Sequence, residues 1–228
     1  MDVEVATPDD GTTGLRRREP RWPVALAIVS VFVMLDILPE RVRILPTWVL
    51  WVSCAVVLAP LALVGLRPSN LWQRVETWVV VSFAALAGLA NLAFLGEILR
   101  DVIGRRGPVS GLALLSSSVA LWCVNVLMFS LLYWQMDRGG PGQRSNALDT
   151  RRDWSFPQDT APEGEVKPGW TPTYPDYLFL SFSTATAFST TEVAPFTTRA
   201  KMLMMAEAAI SLMTLALVAA RAINILGS

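Results

Sequence analysis

The sequence predicts an all-α polytopic membrane bundle, with about five transmembrane helices and one short re-entrant, pore-like helix. Three observations carry this expectation. Hydrophobic residues make up 53% of the 228, more than a soluble domain of this length holds. They are gathered into runs long enough to cross a hydrocarbon layer. The charges are segregated into the first 21 residues, the short interhelical segments and one long loop.

Residues 1–21 are polar and mixed in charge, and read as a disordered tail. No small-residue cleavage motif follows the first apolar run; Leu38, Pro39, Glu40 and Arg41 follow it instead, which argues against a secretory signal. That run, 22–38, is short for a span and carries Asp36 near its end. Runs 45–66 and 75–99 complete an N-terminal transmembrane unit over 22–110. Runs 111–134 and 202–226 belong to a second unit, 111–228. A layer of about 30 Å needs roughly 20 helical residues, and every run except the first supplies them. Lipid offers no partners to backbone groups, so these runs should be helices. Trp22, Trp48, Trp72 and Trp134 fall at the ends of spans, where an aromatic belt would sit.

The segment 135–173 is rich in Pro, Gly, Asp and Arg and reads as a water-exposed loop. Residues 174–188 are apolar and aromatic but too few to span, and polar Ser189, Thr190, Thr191 and Glu192 follow, then Pro195. A short apolar helix running into polar chain at membrane depth suggests a re-entrant segment. The order of long helix, exposed loop, short helix, polar turn and long helix is that of the pore module of tetrameric cation channels. Residues 184–197 resemble the potassium-channel filter region. Thr184 and Thr186 stand at the end of the short helix, Glu192 at the filter mouth, and Pro195 and Thr197 beyond it. The departure is that Ser189, Thr190 and Thr191 replace a Gly-Tyr-Gly filter. Without glycine the backbone resists turning successive carbonyls to an axis. Thr186, Ser189, Thr190, Thr191 and Glu192 would then line a wider, wetter path, and a ring of Glu192 carboxylates would favour monovalent cations. In the other reading the hydroxyls only satisfy the backbone of an interfacial helix.

A second resemblance covers roughly residues 111–226. Its residues are Tyr133 and Trp134; Trp154 to Pro157; Pro175 to Phe182; Glu192 and Val193; Thr198 and Arg199; and Ala222 to Asn224. In these the chain resembles the uncharacterised bacterial membrane-protein family catalogued as domain of unknown function 1345. The resemblance implies a multi-pass membrane protein with a channel-like C-terminal half and assigns it no activity.

Polar residues within the runs supply the remaining candidates. Glu207, Ser211 and Thr214, spaced four and three apart, share one face of the last helix. In a pore module that face would line the pore, and an intramembrane acid is costly enough to imply a water-facing or functional role. The alternative is a packing seam, since Ser and Thr mediate helix contacts in membranes. Asn125 and Asp36 read as packing hydrogen bonds, and Glu97 with Arg100 as interfacial. Cys54 and Cys123 lie in apolar runs and read as small buried side chains.

The chain contains no histidine and no nucleophile–base cluster, so neither an enzyme nor a metal or cofactor site is expected. A formal net charge of zero gives no reason to expect nucleic acid. The 17 Arg against 2 Lys suggest a high-GC bacterial genome, and the expected location is the bacterial plasma membrane. The expected partners are the lipid bilayer and further copies of the chain, four if a pore forms. The leading function is a channel-like pore. A non-conducting scaffold or regulatory subunit is the alternative, and a small-solute transporter comes third.

Orientation sets two rules against each other. A pore loop entering from outside places the N-terminus outside after five spans. Arg16, Arg17, Arg18 and Arg21 beside the first span favour the inside. Five spans with the N-terminus outside is the expectation retained.

Overall fold

The computed structural model describes residues 19–37, 46–66, 69–104, 111–144, 151–162, 164–186 and 193–226. The chain is an all-α bundle. Its helices are α1 (Trp22–Ile37), α2 (Thr47–Leu66), α3 (Asn70–Gly104), α4 (Gly111–Met136), α5 (Pro141–Arg144), α6 (Tyr174–Thr186) and α7 (Thr198–Leu226). Two-residue strands, β1 (Trp154–Ser155) and β2 (Ala194–Pro195), pair antiparallel, with Trp154 opposite Pro195 and Ser155 opposite Ala194.

Among the described residues, four helices, α2, α3, α4 and α7, are long and apolar enough to cross a membrane. At 16 residues, α1 reaches only about 24 Å. It is nonetheless built into the bundle: Val24, Ile28 and Val31 are fully buried, and Phe32 stacks on Phe83 of α3 at 5.1 Å between ring centroids. The helix α4 is the hub, packing against α1, α3, α6 and α7. Val31, Ala84, Val124 and Met128 fill the gap where α1, α3 and α4 meet.

The surface is inverted relative to a water-soluble domain. Trp48, Trp78, Leu86, Phe179, Met205 and Leu212 face outward. Inside lie Asn91, Ser117, Ser118, Asn125, Ser130, Ser181, Glu207, Ser211 and Thr214. Water would penalise that outer face, and lipid does not. Because lipid tails are as apolar as leucine, helix association draws on close packing and interhelical hydrogen bonds. The protein is accordingly an integral, multi-pass membrane protein.

Capping shows where α6 and α7 begin. Thr173 donates its backbone N–H and its hydroxyl to the Asp176 carboxylate (2.7 and 2.9 Å), fixing the first turn of α6. The Thr197 hydroxyl accepts the Ala200 N–H (3.3 Å) at the start of α7. Both starts lie beside the end of α4, because Asp153 joins the loop to Thr197 and Arg199 while Asp137 holds the Asp153 backbone N–H (2.8 Å). Just past α4 the chain reverses through three successive left-handed residues, Arg138 (φ 53°), Gly139 (φ 75°) and Gly140 (φ 92°). Glycine accepts that conformation without strain, and Arg138 is held in it by its Nη2, which donates to both carboxylate oxygens of Asp159 (2.8 Å each).

The long loop is exposed over much of 151–173, as expected, and departs from that expectation in the turn just past α4 and at β1. Gln135, Asp137, Asp153 and Trp154 are buried, and Phe156 packs edge-on against Tyr177 of α6. Asp137, Arg138, Asp153 and Asp159 pair with Tyr177, Arg199 and one another, so charge in this part of the loop does not mean exposure. Trp134 also departs from the expected belt. It is fully buried, donates its indole N–H to Glu19 (2.6 Å), and lies under the guanidinium groups of Arg21 and Arg144. Trp22 and Trp48 are exposed, as belt residues are.

Glu19 and Arg21, in the segment expected to be a disordered tail, are ordered. Glu19 accepts the Tyr174 backbone N–H (3.0 Å) and pairs with Arg144 (3.3 Å), and Arg21 pairs with buried Glu76 of α3 (3.0 Å). Residues 1–18 lie outside the described residues. The start of α1 therefore lies at the same end of the bundle as the loop.

Candidate functional site

The strongest concentration of buried polar groups lies where α4, α6 and α7 meet. Glu207, near the middle of α7, is fully buried. Tyr133 of α4 donates its phenol O–H to Oε2, and Ser181 of α6 bonds to Oε1. The Ser181 Oγ also lies 2.7 Å from the carbonyl oxygen of Val126 in α4. One turn further along α7, Asn125 donates its amide N–H to the Ser211 hydroxyl (2.9 Å). The Thr214 hydroxyl bonds back to Ile210 O within its own helix (2.8 Å).

Each helix brings a stripe to this junction by its own repeat. Ala200, Glu207, Ser211 and Thr214 fall on one face of α7, and Tyr174, Tyr177 and Ser181 on one face of α6. Tyr174 reaches Ser130 (2.7 Å) and Tyr177 reaches Asp137 (2.6 Å), so α6 is bonded to α4 at Ser130 and Val126 and to the turn just past it at Asp137. Trp154 packs over the Tyr133 ring at 4.8 Å and shields the phenol from the loop side.

Within the single chain, the face carrying Glu207, Ser211 and Thr214 is thus a seam against α4 and α6. Of the two sequence readings, the packing seam describes where these side chains lie. Asn125 makes the packing bond expected of it. Replacing Asn125 by leucine should cost about 1 kcal/mol, the scale of an interhelical hydrogen bond in a membrane, read from a denaturant unfolding titration in detergent. A variant as stable as the parent would show that the Asn125–Ser211 bond contributes nothing.

Two of the pore-loop candidates are described. The Thr184 hydroxyl bonds to Leu180 O (2.8 Å) and the Thr186 hydroxyl to Phe182 O (2.8 Å), so both satisfy carbonyls in the last turns of α6. Ser189, Thr190, Thr191 and Glu192 lie outside the described residues.

A second polar cluster closes the loop end. Asp137, fully buried, accepts the backbone N–H groups of Asp153 (2.8 Å) and Trp154 (3.4 Å), accepts the Tyr177 O–H, and lies 3.4 Å from Arg138. Asp153 in turn receives Arg199 and Thr197. The sequence reading singled out none of Tyr133, Tyr177, Ser181, Asp137 or Asp153 as a site residue. The spacing of Tyr174, Tyr177 and Ser181 is the signal that could have found the polar face of α6.

Compared with protein-family models, curated proteins and solved structures, the chain matches none.

Proposed function

We propose that this protein is one subunit of a pore-loop, channel-like assembly in the bacterial plasma membrane, passing monovalent cations along a path without filter glycines. The observation that carries the reading is the course of α6. The helix has 13 residues, about 20 Å, and starts at the loop end of the bundle. The chain beyond it is back at that same end by β2, which pairs with β1, and the Phe196 N–H reaches Asp153 O at 2.8 Å. A segment that enters and leaves on one side is tolerated at membrane depth only where protein or a water-filled cavity surrounds it. Its place between an outer and an inner long helix, with the Glu192 segment following, supports a pore-forming role. One such unit supplies a fraction of a ring, so the reading requires a homo-oligomer.

The test is cation flux into proteoliposomes, with Glu192→Gln beside the parent chain. The parent should conduct, and the variant should lose cation preference several-fold. Absence of flux, or flux indifferent to the substitution, would overturn the reading. A non-conducting scaffold or regulatory subunit is the second reading, favoured because the Glu207 face is filled by the chain's own α4 and α6. It requires no ring, and a strictly monomeric protein in nanodiscs would select it.

A further inference from the structure

The hydrogen bonds around Glu207 do not balance for an ionised carboxylate. Ser181 has one hydroxyl hydrogen and two acceptors within reach, Glu207 Oε1 and the Val126 carbonyl oxygen at 2.7 Å. If the carboxyl is ionised, that hydrogen serves one of them, and the other faces a lone pair. If Oε1 carries a proton, the contacts close into a directed chain. Tyr133 donates to Oε2, Oε1–H donates to Ser181 Oγ, and Ser181 donates to Val126 O. The surroundings act in the same direction. Glu207 is fully buried within a membrane-spanning helix, where an uncompensated charge is costly.

The groups facing it are few. The helix α4 brings the Tyr133 phenol and α6 the Ser181 hydroxyl; Tyr174 and Tyr177 on α6 are engaged by Ser130 and Asp137. On α3, Glu76 pairs with Arg21 and Glu97 with Arg100. On α7 itself, Arg199 is taken by Asp153, which flanks β1. Among the described residues no cation neighbours the carboxyl.

We infer that Glu207 is a proton-binding site at the three-helix junction, and that loss of its proton loosens α6 from α4 and α7. The neutral acid completes the chain of donors that ties α6 to both neighbours. Removing the proton buries a charge and leaves two acceptors competing for one hydrogen. Raising the pH therefore weakens the junction. The inference rests on the geometry of the seam and holds whether or not the protein conducts.

Infrared spectroscopy of the full chain in nanodiscs tests it directly. At neutral pH the parent should show the carbonyl band of a protonated carboxylic acid, shifted in heavy water and absent from Glu207→Gln. The band should fade on alkaline titration. Ser181→Ala, which removes the acceptor of the acid proton, should move the band, securing the assignment even if Glu207→Gln folds poorly. Over the same titration, amide protection of α6, corrected for intrinsic exchange chemistry, should fall in the parent and stay flat in Glu207→Gln. Carboxylate bands alone at neutral pH would overturn the site. A titrating band with unchanged α6 protection would overturn the coupling. Neither readout requires flux, so the failure of this inference is distinct from failure of the channel reading.

Discussion

Replacing Asp137 by alanine should destabilise the protein by about 3–5 kcal/mol, the cost of removing one partner from a buried charged network. The carboxylate is fully buried and serves two backbone N–H groups, the Tyr177 phenol and the Arg138 guanidinium. Alanine leaves the two backbone N–H groups and the phenol without their acceptor, and Arg138 keeps only Asp159 as its counter-charge. Asparagine keeps the shape but turns one acceptor oxygen into a donor, so its effect should lie between. Thermal unfolding in detergent gives the magnitude. Trypsin reports the location, since exposed Arg151 and Arg152 flank Asp153 and should be cut faster once the loop is released. Unchanged cleavage in a destabilised variant would place the damage elsewhere.

The second large effect is expected at Trp134. Truncating a fully buried tryptophan to alanine costs about 3–5 kcal/mol, and this one also joins elements from both halves of the chain. Its ring lies under Arg21 (5.3 Å) and Arg144 (5.9 Å) and meets Tyr174 edge-on, while its N–H holds Glu19. Trp134→Phe keeps most of the apolar volume and loses the N–H bond, and should cost about 1 kcal/mol. Trp134→Ala should also make Arg21 susceptible to trypsin. A full-sized stability loss with Arg21 still protected would show that Glu76, Arg144 and the Tyr174 N–H suffice to hold the segment before α1.

These two residues also show where sequence reasoning stopped. The long spans were visible because lipid imposes a length and a composition on any helix that crosses it. Residue 207 stood out because an acid in an apolar run is rare. Its partners did not, because Tyr133 and Ser181 lie 74 and 26 residues away and each is unremarkable in its own context. Trp134 was read as a belt residue from its place at the end of a span, and it is the pairing of Glu19 with Arg144 around it that draws it inward. Asp137 and Asp153 were absorbed into a polar loop, since composition registers charge without registering whether a counter-charge sits beside it. The segment that begins α6 was read as too short to span, and α6 is described over Tyr174–Thr186.

The clasp around Glu19 has a consequence for the order of assembly. Its bonds to Trp134 and Tyr174 bridge 115 and 155 residues. The ribosome delivers α1 long before either partner exists, so α1 enters the bilayer with Glu19 and Arg21 still solvated. The orienting influence of Arg21 acts on that nascent chain, whereas its neutralisation by Glu76 belongs to the finished fold. Closure of the clasp marks the moment when synthesis has passed Tyr174 and the first and last thirds of the chain are joined.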